Sequence, residues 1–89
     1  MSAVLVEGEL AIYRAVEFKD RLLAALSAAG EVEVDLSQVN EMDSAGVQLL
    51  LLTRREAMAS GKRLRITATS QAAAEALRLC GLDAAAVSY

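Results

Sequence analysis

The stretch Val34-Asp35-Leu36-Ser37-Gln38-Val39-Asn40-Glu41-Met42-Asp43-Ser44-Ala45-Gly46-Val47 holds the residue types and spacing best suited to chemistry. A strand enters it, a polar loop from Ser37 to Asp43 turns, and Asp43-Ser44 stands at the start of a helix. Two readings of that pair stand side by side. Ser and Asp are favoured at helix starts because their oxygens accept orphan backbone N–H groups. The same start is an anion site, where a phosphate on Ser44 meets free N–H groups and a favourable dipole. A phosphate there also brings about −1.5 to −2 charges beside Asp43 and Glu41. The helix that follows carries four consecutive leucines, Leu49 to Leu52. Val47, Leu50, Leu51, Ala57 and Met58 form one stripe that faces the sheet. Ala45, Leu49 and Leu52 fall on the opposite side, where either a neighbouring helix covers the two leucines or they form a solvent-facing patch; the patch reading expects Leu49 and Leu52 to be exposed. An apolar patch rimmed by charge marks an interface. Asp43, Ser44, Ala45, Leu49 and Leu52 are therefore the candidate partner-binding residues, and Ser44 the candidate phosphoacceptor.

Residues that are missing exclude other chemistry. The chain has no His, which removes Ser-His-Asp and Cys-His catalysis and ordinary zinc sites. Its one cysteine, Cys80, forms no internal disulfide and is expected in the buried half of a helix. Asp35 and Asp43 could in principle hold a metal, but two carboxylates on separate elements are weak evidence for one. No catalytic, metal or cofactor residues are assigned, and the chain is expected not to be an enzyme. The net charge is −3, without a basic stripe, which argues against nucleic acid and anionic membranes. The 55% apolar and 24% charged residues describe a globular chain, and no apolar run approaches the ~20 residues of a membrane span. The N-terminus carries Glu7 and Glu9 and lacks a basic n-region, so the expected compartment is the cytoplasm.

These residues must be positioned by a single domain, residues 1–89. Ala3 to Val6, a turn at Glu7-Gly8-Glu9 and a second strand at Leu10-Ala11-Ile12-Tyr13 predict an antiparallel hairpin. Ala15, Phe18, Leu22, Ala25, Leu26 and Ala29 share one helical face. Glu31 to Leu36 and Arg63 to Ala68 alternate strictly, and Ser70 caps a third helix running from Gln71. The expected order is β-β-α-β-α-β-α. Alternating strands have one wet face, because strands covered on both faces read as continuous apolar runs. Right-handed crossovers over one face then lay the strands down in sequence. The predicted fold is α/β, with one mixed β-sheet in sequential strand order, an N-terminal antiparallel hairpin followed by parallel strands, and helices mainly on one face. That order puts Glu31, Glu33 and Asp35 beside Arg63 and Arg65.

Asp35-Leu36-Ser37, then Asp43-Ser44-Ala45-Gly46 and a leucine-rich helix, resembles the STAS domain family of anti-sigma factor antagonists and sulfate-transporter cytoplasmic domains. Gly8-Glu9-Leu10, Gly61-Lys62-Arg63-Leu64 and Leu79 to Leu82 also fit, so the resemblance runs from Val4 to about Leu82. It implies a bacterial regulatory module that binds an anti-sigma kinase-like protein when unphosphorylated and releases it once Ser44 carries phosphate. Two alternatives share the family. One is a constitutive accessory subunit of a lipid-transporter ATPase, and the other an adaptor in a histidine-kinase or chemotaxis system. A monomer or weak homodimer is expected, without direct membrane insertion.

Overall fold

A computed structural model describes residues 2–89. The elements are β1 (Ser2–Leu10), α1 (Ile12–Ala28), β2 (Glu31–Met42), α2 (Ser44–Ala59), β3 (Arg63–Thr69), α3 (Gln71–Leu79) and α4 (Ala84–Val87). The three strands form one sheet in the order β1-β2-β3, and both pairings are parallel. The sequential order read from the alternating strands is thus present. Glu31 lies opposite Arg63 and Glu33 opposite Arg65, as the charge pattern predicts.

The antiparallel hairpin is not formed. β1 runs straight through Glu7-Gly8-Glu9 and ends at Leu10, which is fully buried. Gly8 takes a left-handed φ of 78°, and the ladder absorbs the irregularity through extra residues on β2, so the strand kinks without reversing. Ile12 and Tyr13, read as the end of a second strand, open α1 and are 65% and 95% exposed. A four-residue apolar run does not distinguish strand from helix, and here the phase of the following helix decides.

The polar loop expected from Ser37 to Asp43 is strand as far as Met42. Leu36 and Val39 are buried, with Ser37 and Gln38 both exposed between them. Two successive outward residues mark a bulge, after which β2 continues to Met42. Asp35 Oδ1 accepts the Ser37 N–H at 2.8 Å and holds the chain in that turn.

Val4, Val6, Val32, Val34, Leu36, Leu64 and Ile66 point from the strands into one core with Phe18, Leu22 and Leu26 of α1 and Val47 and Leu50 of α2. The opposite strand positions, such as Ala3, Leu5, Arg63 and Arg65, are exposed. Cys80, expected to be buried, is exposed, because α3 ends at Leu79 and the cysteine falls beyond its packed face.

Candidate functional site

The end of β2 delivers Asp43 as the N-cap of α2 in extended conformation. Its Oδ1 accepts the N–H groups of Ala45 at 2.9 Å and Gly46 at 3.3 Å. Ser44 is the first helical residue and is exposed. The capping role open to either residue therefore belongs to Asp43. The sequence places Ser44 correctly at the helix start but does not decide which of two adjacent oxygens turns back onto the backbone.

Gly46 fixes where this helix start sits. It is buried, and a Cβ built on it would overlap the Leu10 carbonyl oxygen and lie 3.1 Å from both Leu10 Cγ and Met42 Cγ. Only glycine lets α2 begin against the ends of β1 and β2. Asp43 and Ser44 are thereby held outside the carboxyl ends of the parallel strands, where open α/β sheets place their sites. Glu9 and Glu41 lie opposite each other in the adjoining register and are exposed, so the surroundings of Ser44 are acidic. Among the described residues no three His, Cys, Asp or Glu side chains converge as metal ligands.

The apolar surface beside Ser44 differs from the expected one. Leu49 is only 5% exposed, whereas Leu52 is 37% exposed. The expectation of an open Leu49 fails because α1 packs along α2 and covers it. Ala15, Val16 and Lys19 of α1 and Ala45, Gln48, Leu49 and Leu52 of α2 line a shallow, mostly apolar groove between the two helices. Val16 is 63% exposed and Ile12, one turn earlier on the same side of α1, is exposed as well. The open patch is thus Ile12, Val16 and Leu52, with Ala45 and the edge of Leu49 at its floor. Sequence reasoning missed the α1 contribution. Its signal was present, since Ile12 and Val16 are apolar at i, i+4 yet lie off the Phe18–Leu22–Leu26 face.

The acidity of Asp35 is displaced. Hydrogen bonds from Ser37, its hydroxyl first and its backbone N–H second, hold the Asp35 carboxyl below the usual aspartate range. It serves the bulge of β2 rather than the Ser44 surface.

Residues 2–88 match the family model described as "Mlab, STAS domain". Among solved structures, the chain is similar to the anti-sigma factor antagonist SpoIIAA in its unphosphorylated form. The TM-score is 0.75 at 23% identity, covering 91% of this chain and 73% of that one. That likeness is one of fold.

Proposed function

The chain belongs to the STAS domain family, and from that premise we propose that it is a non-enzymatic regulatory module whose binding to a cytoplasmic protein is switched by phosphorylation of Ser44. The observation that carries this reading is the division of labour at the start of α2. Asp43 satisfies the first backbone N–H groups, which leaves the Ser44 hydroxyl exposed at the rim of the Ile12, Val16 and Leu52 patch. An unmodified Ser44 lets a partner seat on Asp43, Ser44, Ala45, Leu52 and the accessible edge of Leu49. A phosphate there gains about 0.3–1 kcal/mol from the helix dipole and loses a comparable amount to Asp43, Glu41 and Glu9, so the fold is left nearly unchanged. The interface responds differently, because a dianion at its edge must be desolvated or repelled. The partner class this supports is an anti-sigma kinase-like protein, which would both read and modify Ser44.

Phosphopeptide mass spectrometry on protein from its native host, with capture of the partner by Ser44→Asp and Ser44→Ala, tests the proposal. Ser44 is expected to carry phosphate under some growth condition. The Asp variant should lose the partner, and the Ala variant should hold it without response to kinase. An unmodified Ser44 under every condition, with undiminished capture by the Asp variant, would leave a constitutive binding subunit of the transporter-ATPase kind.

A further inference from the structure

The two outer edges of the sheet are finished differently. At β3, Tyr89 and Leu64 exchange N–H···O bonds of 2.6 and 2.8 Å, and the Ile66 N–H donates to Ser88 Oγ at 3.0 Å. β1 is nine residues long and, among the described residues, has β2 on one side only. A free edge of that length is a template for another strand. Two side chains of α1 reach it instead. Arg14 Nη1 donates to the Glu7 carbonyl at 3.0 Å, and Arg21 Nη2 to the Leu5 carbonyl at 3.3 Å. Both register shifts against β2 add their extra residue on β2, so β1 is regular between Leu5 and Glu7 and these two carbonyls point the same way. A carbonyl within the ladder accepts from β2, whereas these accept from α1 and face the open side.

The arginines are held in place. Their guanidinium groups lie 4.6 and 5.2 Å from the centroid of the buried Phe18 ring, and Arg14 Nε is 3.8 Å from Glu17. Gly8 leaves Arg14 room, since a Cβ there would stand 2.8 Å from Arg14 Nη1.

We propose that Arg14 and Arg21 form a bracket that keeps β1 from pairing, antiparallel, with β1 of a second copy of this chain. The occupant follows from the strand's own pattern. A two-fold axis through Leu5 sets Leu5 against its own counterpart, Val4 against Val6 and Ala3 against Glu7, so every residue keeps its face and no like charges meet. Leu5 is 42% exposed on the solvent-facing side of the sheet, and this pairing covers it. The edge of β3 is already taken by Ser88 and Tyr89, so association stops at two copies.

The test uses the full chain carrying Arg14→Met and Arg21→Met, which keeps apolar cover over Phe18 and removes both donors. The wild type should sediment at its 9.4 kDa monomer mass, and the double variant should double that mass as concentration rises. Its Leu5 and Glu7 amides should gain roughly tenfold protection from hydrogen exchange. Adding Leu5→Lys sets two like charges at the axis and should return the monomer. A double variant that has the wild-type circular dichroism spectrum and stays monomeric overturns the proposal. So does association that survives Leu5→Lys or leaves those amides unprotected. If the double variant does not fold, Arg21→Met alone is used, with a peptide of residues 2–10 as the probe. Stronger protection of its β1 amides than in the wild type supports the bracket, and equal protection overturns it.

Discussion

Asp43 and Ser44 sit side by side at one helix start and do different work. The Asp43 carboxylate accepts two backbone N–H groups, while Ser44 stays exposed. Asp43→Ala should therefore lower stability by about 0.5–2 kcal/mol in urea unfolding. Ser44→Ala should stay within about 0.5 kcal/mol of the wild type. The reverse ranking would make Ser44 the cap and remove the free hydroxyl on which the switch depends. Asp35 offers a second test at this scale. Ser37 hydrogen-bonds its carboxylate, so the folded state favours the ionised form. A depressed folded pKa contributes stability that is present above the ordinary aspartate range and is lost as pH falls through it to the lowered folded value. Asp35→Asn should thus flatten the acid flank of a melting-temperature profile and leave the neutral region nearly parallel to the wild type. Superimposable acid flanks would show that Ser37 does not hold this carboxylate in solution.

The helix α2 is where periodicity and packing part company. Its four leucines cover most of the circumference, and a stripe argument assigns Leu50 to the sheet and opens Leu49 and Leu52. In the fold Leu49 and Leu50 are both buried, because α1 lies against α2 and closes over Leu49. Leu49→Ala and Leu50→Ala should each cost about 2–5 kcal/mol, and Leu52→Ala less than about 1 kcal/mol, in chemical denaturation. A small loss at Leu49 would mean that α1 does not cover it. Gly46→Ala should cost about 1–3 kcal/mol, since the added methyl meets the Leu10 carbonyl. A neutral Gly46→Ala would mean that α2 does not begin against β1. The sheet order, the wet face and the Glu31–Arg63 and Glu33–Arg65 pairs were legible because strand alternation is local and crossover handedness is general. The hairpin was misread because Gly8 with flanking glutamates has the composition of a turn, while its role is a kink filled by Arg14. Residues Ser37 to Met42 read as loop because a bulge breaks the alternation that identifies a strand. Whether a neighbouring helix covers Leu49, Leu52 or both stays open in the sequence, since the angle between two helices is not written in either helix's periodicity.

At the scale of the molecule, β2 and α2 carry the switch residue while α1 supplies much of the apolar surface beside it. A partner that binds as proposed must bridge both helices. Val16→Asp, on the exposed side of α1 and away from the core, should abolish partner capture with little loss of stability. Arg65→Glu, on the wet sheet face, should leave capture intact. Loss of capture in both or in neither would move the interface off the α1–α2 groove. The same geometry decides how a phosphate on Ser44 acts. The chain has a net charge of −3, and a phosphate adds about −1.5 to −2. If release came from long-range repulsion between two acidic proteins, salt would suppress it, because the screening length is about 8 Å at physiological ionic strength and shorter above it. If release comes from a dianion that must lose its water within the contact, salt screens little of the penalty. Ser44 directly precedes Ala45 of the groove, so a phosphate on it falls within the proposed contact and the contact penalty should dominate. Binding of phosphorylated chain measured calorimetrically from low to high salt should therefore stay weak throughout. Recovery of wild-type affinity at high salt would assign the switch to the overall field of the molecule instead of to the position of Ser44.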